Sequence, residues 1–361
     1  MGRKLSVVAV VVTLVGAGCA PSYHAEEMRP VPAADARTAV MGRFEAEQAP
    51  ALKSVETWSN AYGPGLKLTT DHYEIRTTLL EPLMLRAIPG FVESAYRAYN
   101  RQLARPIETV TKFQVYMFAD RRQWEAFTRD FAGEQASIFC RIKSGAYYLN
   151  GACVVYDIGR ERTLSVLGHE GWHQFANCHF TYRLPSWLDE GIAMQFESSV
   201  YANGTFTFEP AGNRLRLDVL SEAMKSRRMI PLGQLVATSP GEVLASDQTE
   251  AVLAFYSQSY ALVRFLREAD HGRRLSLYER LLWEGLRGQW PLSETAGQTA
   301  ADRNLPRTVD WNRTVGPQVF ACYVGTDVAA LEREYLAFCA RAVRETTVAR
   351  DDNSEYALAQ R

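Results

Sequence analysis

The sequence predicts an α+β fold, with a mixed-sheet amino-terminal lobe over residues 61–200 and a mainly helical carboxy-terminal lobe over 201–344. Two observations carry this expectation. Through residue 204, short β-branched and aromatic runs alternate with helical stretches, and two Asn-Gly pairs mark hairpin turns. Beyond it, apolar residues recur at helical spacing.

The elements follow in chain order. Arg3 and Lys4, the apolar run Leu5 to Val15 and the small residues before Cys19 read as an export signal over 1–19. That run is too short to span a bilayer, and no other apolar run is long enough. Gly16-Ala17-Gly18-Cys19 resembles a bacterial lipid-attachment box, which implies a lipid on Cys19 and a membrane-anchored lipoprotein of the cell envelope. Cleavage after Ala20, giving a soluble secreted protein, is the alternative. Residues 20–60, rich in Ala, Pro, Glu and Arg, read as a flexible tether. Leu68 to Arg76 has strand character, Phe91 to Leu103 helical periodicity, Lys112 to Phe118 is β-rich and Trp124 to Phe131 is helical. Tyr147 to Tyr156 reads as a hairpin around Asn150-Gly151, and a second hairpin is expected at Asn203-Gly204. Helices are expected at about 214–227, 250–268, 273–286 and 327–343, with Asp247 and Glu250 capping the second. The polar tail 345–361 is expected to fray.

The chemistry concentrates in His169-Glu170-Gly171-Trp172-His173, an HExxH pattern. On a helix, positions i and i+4 share a face, so the two imidazoles can hold one Zn²⁺. Glu170 is rotated off that row, placed to act as general base on a zinc-bound water whose pKa the metal lowers from near 16 to about 7. Leu164, Val166, Leu167, Trp172, Phe175 and Ala176 make this a core helix, where a glutamate between two histidines is costly without a purpose. Two residues compete as third ligand. His179 has the spacing of the metzincin motif, but Ala176 stands where that motif needs a glycine to turn the chain back. Glu190 is preferred. It lies on a helix beginning near Ser186, a candidate cap, with apolar residues at 188, 192, 193 and 196.

HEGWH with Trp187-Leu188-Asp189-Glu190-Gly191 resembles the gluzincin zinc metallopeptidases, closest in style to secreted bacterial peptidase-MA-like proteins. The resemblance implies a two-lobe enzyme with Zn²⁺ in the cleft, held by His169, His173 and Glu190, that hydrolyses a peptide or protein substrate. The segment Phe255 to Leu266 resembles the helix of that family that carries a transition-state tyrosine, which implies Tyr256 as donor to the oxyanion, with Tyr260 in reserve. Such enzymes bind extended substrate backbone along a sheet edge, which points to Ala152, Cys153 and Val154 as substrate-binding residues. Nothing in the chain matches the acidic motif with which aminopeptidases of this kind recognise a free amino terminus, so endopeptidase or narrow processing activity fits at least as well.

Other classes are excluded or kept as rivals. With 40 basic and 41 acidic residues spread along the chain, there is no basic stripe for nucleic acid. Cys140, Cys153, Cys178, Cys322 and Cys339 remain after Cys19, an odd number, with Cys140–Cys153 and Cys322–Cys339 as candidate bridges in an oxidising compartment. One rival is a non-catalytic envelope binding module that keeps a peptidase fold. The other is a purely structural zinc, which needs His179 or Cys178 as a fourth ligand.

Overall fold

A computed structural model describes residues 51–142, 145–240 and 249–359. The export signal, Cys19 and Asp247 lie outside the described residues.

The amino-terminal part is a six-stranded mixed sheet. Its strands are β1 (Ser54–Trp58), β2 (Gly65–Thr69), β3 (Tyr73–Thr77), β4 (Phe113–Phe118), β5 (Ala146–Leu149) and β6 (Ala152–Tyr156), in the spatial order β1-β2-β3-β4-β6-β5. The first three form an antiparallel meander, β3, β4 and β6 run parallel, and β5 turns back antiparallel on β6. The return from β5 to β6 is the expected Asn150-Gly151 turn, both residues at positive φ (49° and 82°), as a two-residue hairpin of matching twist requires. Helix α1 (Pro82–Asn100) starts on a cap from the Glu81 side chain with proline at its first position. It and α3 (Arg160–His179) share one hydrophobic core with the sheet residues Cys153 and Val155. Helix α2 (Arg121–Ala132) covers the other face, where Trp124 and Phe127 pack with Phe118, Val154 and Tyr156.

The rest is helical apart from the ribbon β7 (Ser199–Ala202) and β8 (Thr205–Phe208), closed by Asn203-Gly204. It comprises α4 (Ser186–Ala193), α5 (Arg214–Lys225), α6 (Thr249–Gly272), α7 (Leu275–Leu286), α8 (Glu294–Ala301), α9 (Val309–Tyr323) and α10 (Val328–Ala359). The α+β class, mixed sheet first and mostly helical second, holds. One core cluster runs unbroken from Leu66 in β2 to Ala342 in α10. Hence the two parts are not separately packed.

Several expectations are corrected. The sheet begins at Ser54, inside the segment read as tether. The single strand expected over 68–76 is two, turning between Thr70 and Tyr73, where the Tyr73 N–H bonds Thr70 Oγ1. Helix α1 starts nine residues before Phe91, because Pro89 is accommodated within it. α8 and α9 were not expected, the latter carrying Pro317 in its middle. The last helix continues to Ala359, past the fraying point expected at 344. Ser186 does not cap α4; its N–H is taken by Asn312 Oδ1 at 2.8 Å, from α9. Ala152, Cys153 and Val154 do not form a sheet edge. Their strand is paired to β4 on one side and β5 on the other, and all three side chains are buried, so the edge beside α3 is β5. All five described cysteines are free thiols, and neither candidate bridge forms.

Two close approaches set the position of α3 and α4. The Tyr99 hydroxyl of α1 donates to the Gly168 carbonyl at 2.7 Å, fastening the turn that bears His169. Gly191 lets α4 lie directly on α6, since a Cβ there lands on the Ser259 carbonyl oxygen and within 2.6 Å of Val263 Cγ2. Gly191→Ala is therefore expected to lower stability by about 1–3 kcal/mol through overpacking. Chemical denaturation of the metal-free protein checks this, and an unchanged midpoint would refute the tight α4–α6 contact.

Candidate metal centre

Helix α3 places His169 and His173 one turn apart on the face toward α4, and both are buried. α4 brings in Glu190. His169 Nε2 lies 3.4 Å and His173 Nε2 3.6 Å from Glu190 Oε2, and the two nitrogens are 3.3 Å apart. A tetrahedral zinc with bonds of about 2.0–2.1 Å holds its donor atoms about 3.4 Å apart, so this triangle fits one metal ion. These three residues form a compact group of potential metal donors among the described residues. His179 is not part of it. Its Nε2 bonds Thr109 Oγ1 at 2.8 Å and its ring packs on Phe113 and Phe175, while Cys178 beside it is exposed.

The remaining imidazole nitrogens face carboxylates. His169 Nδ1 is 2.9 Å from Glu197 Oε1, and Glu197 is held by Arg216 at 2.6 and 2.8 Å and by Asn213 Nδ2 at 2.9 Å. His173 Nδ1 is 3.2 Å from Asp189 Oδ1, without the alignment of a hydrogen bond. Asp189 also accepts from Trp172 Nε1 at 3.0 Å and pairs with Arg307. Carboxylates behind both histidines fix ring orientation and raise ligand basicity, a support that metal-ligating histidines regularly have. Asp189 and Glu197 stand within a few residues of Glu190 in the sequence, where no local pattern marks them as partners of the imidazoles. Arg216 and Arg307 had no local signal at all.

Charge supplies an independent test of fit. Glu170, Glu190, Asp189 and Glu197 have nearly inaccessible side chains, as do Arg216 and Arg307. Asp189 and Glu197 are each paired with a guanidinium, whereas Glu190 has none, so with neutral imidazoles its charge is left for a cation to balance. Without a cation the histidines take up the deficit. Burial disfavours charge on His169, yet its bonds to Glu190 and Glu197 raise it to about 9; His173 is raised further, burial being outweighed by Asp189 and Glu190. Burial likewise opposes the charge on Glu190, but His173 and His169 pull it down to about 2.

Glu170 sits beside this group. Burial pushes its carboxyl up to about 7 against the pull of both histidines and of the nearby Tyr148 backbone on the edge strand β5. Its Oε2 has no hydrogen-bond partner. The Tyr256 hydroxyl, on α6, is also buried and unpartnered; burial and then the Glu190 charge keep it protonated, its pKa well above the usual value. Tyr260 is otherwise engaged, its hydroxyl donating to the Pro210 carbonyl and lying 3.3 Å from Arg264 Nη1. A cavity of about 200 Å³ reaches the His169 side past Glu197 and Arg216, and one of about 30 Å³ reaches His173.

Residues 163–281 match a domain family. It is described as a protein of unknown function (DUF1570). The match covers about a third of the chain and includes His169, Glu170, His173, Glu190, Glu197, Arg216 and Tyr256. No curated protein and no solved structure matches the chain.

Glu197→Gln and Asp189→Asn are each expected to weaken zinc binding about 10- to 100-fold while leaving one ion per chain at saturation. Competition against a chromophoric chelator measures this, and unchanged affinity in both variants would remove the supporting role of the carboxylates. Arg216→Met, which strands Glu197 as an unpaired buried charge, is expected to cost about 3–5 kcal/mol in a denaturation experiment.

Proposed function

We propose that this chain is a zinc-dependent peptidase of the gluzincin type, exported to the cell envelope, with His169, His173 and Glu190 as metal ligands. The observation that carries this reading is the triangle of donor atoms, 3.3 to 3.6 Å on a side, with Glu170 and Tyr256 presenting unpartnered polar atoms beside it. A zinc ion held there lowers the pKa of a coordinated water to about 7 and polarises a carbonyl oxygen.

The chain's own groups divide the remaining work. Glu170 lies near the Tyr148 backbone and keeps Oε2 open to take a proton and pass it to the leaving amine. Tyr256 keeps its proton and offers it as a hydrogen bond to the developing oxyanion. Edge strand β5 has its outer side unpaired among the described residues and lies next to Glu170 through Tyr148, a template on which an extended peptide backbone can add as a further strand. The membrane anchor proposed at Cys19 is separate from this chemistry; among the described residues no helix is long and apolar enough to cross a bilayer.

The test is metal content and cleavage of an unstructured peptide mixture by the purified chain. One zinc per chain with turnover is expected. Glu170→Gln is expected to keep the metal and lose about 10²–10⁴ in rate. Tyr256→Phe is expected to keep the metal and lose about 10²–10³ in kcat. Glu190→Ala is expected to lose the metal. Absence of zinc from the unmodified chain would favour a non-catalytic binding module, and zinc retained in Glu190→Ala would reject Glu190 as ligand.

A further inference from the structure

The 30 Å³ cavity beside His173 has an unusual lining. Arg183, Arg303 and Arg307 converge on it with Tyr148, and Asp189 is its one carboxylate among the described residues. That carboxylate is already shared among Trp172, His173 and Arg307.

The arginines are held firmly by backbone. Arg183 contacts the Asp302 and Leu305 carbonyls, and Arg307 the Leu184 carbonyl at 3.1 Å and Asp189. All these contacts run through Nη1. A guanidinium carries five N–H donors in a rigid fork, more than these carbonyl contacts through Nη1 use. Arg303 is tied to the end of α3 through the Asn177 and Phe180 carbonyls. Crowding of like charge is evident: burial, then Arg307 and Arg303, pulls Arg183 down to about 9. An anion between the guanidiniums relieves that repulsion, and paired N–H donors suit a carboxylate in particular.

We propose that this cavity is a subsite for a carboxylate of the substrate, borne by a residue next to the bond that is cut. The inference rests on the peptidase reading above. It places the acidic group close to the scissile bond because His173 itself lines the cavity, as does Tyr148, whose backbone lies near Glu170. Two sources offer the same chemistry, a peptide's terminal carboxylate and an Asp or Glu side chain. A free α-ammonium group is repelled here, which is consistent with the lack of an acidic motif for amino termini.

The test uses the full chain with zinc bound. N-acetylglycine, N-acetylglycinamide and N-acetylglutamic acid α-amide are titrated calorimetrically, presenting a terminal carboxylate, no carboxylate and a side-chain carboxylate. At least one acid is expected to bind about 10- to 100-fold more tightly than the neutral amide, the gain typical of charged hydrogen bonds. The acid that binds identifies the source. Arg303→Gln, at the surface, and Arg183→Gln are each expected to remove most of that preference. Equal binding of acids and amide overturns the subsite, and so does no binding of any of them. An acid preference that survives both substitutions belongs to the metal and also overturns it. Cleavage of a peptide library separates the two readings. Cuts without any acidic preference at a neighbouring position overturn the subsite and leave the peptidase. Acid binding that depends on the arginines, without any cleavage, supports the subsite and counts against the peptidase.

Discussion

The structure depends on keeping four carboxyl groups and two imidazoles ionically satisfied in an almost water-free interior. Each buried charge is affordable only because another faces it: Arg216 against Glu197, Arg307 against Asp189, and the histidines against Glu190. Removing either member of such a pair strands its partner. Glu190 alone has no guanidinium against it, only the two imidazoles, and that is where a cation would fit.

Helix geometry explains how few elements are needed. His169 and His173 occupy one face of α3 by the i, i+4 rule. Asp189 and Glu190 are consecutive on α4, so they project in different directions. Glu190 meets the Nε2 sides of both rings, while Asp189 reaches Nδ1 of His173. Two adjacent acids thus grip the same imidazole from opposite sides. The Gly191 that follows them lets α4 come close enough to α6 to bring up Tyr256.

What could be read from the sequence was whatever depends on local spacing. The two imidazoles, Glu170 between them and the Asn-Gly hairpins all follow from periodicities of a few residues. The preference for Glu190 over His179 followed from the residue type at 176, and the structure places Glu190 beside the two imidazoles and His179 against Thr109. Interactions across long sequence separations left no local trace. Arg216 and Arg307 lie 19 and 118 residues from the acids they pair with. The choice between Tyr256 and Tyr260 turned on which hydroxyl the surrounding structure already consumes, and Pro210, which consumes the latter, is 50 residues away. The sheet edge was misread for a related reason. Both arms of the 146–156 hairpin look alike in sequence, and only the parallel pairing of β6 with β4 decides which arm stays outside.

The division of labour between the two halves of the chain has a physical consequence. The sheet and its covering helix supply the imidazoles and Glu170, whereas the guanidiniums that balance their outer carboxylates arrive from α5 and the segment before α9. Neither half carries a neutral, satisfied site by itself. Both carboxylate–arginine pairs lie in the helical part, so without α3 that part would bury Glu190 with no cation facing it, and without α4 the α3 helix would lose the carboxylate that meets both imidazoles. The continuous hydrophobic core enforces the same union through apolar contact. A cation held by His169, His173 and Glu190 would need α3 and α4 together, so its binding free energy would add to the stability of the contact between the halves.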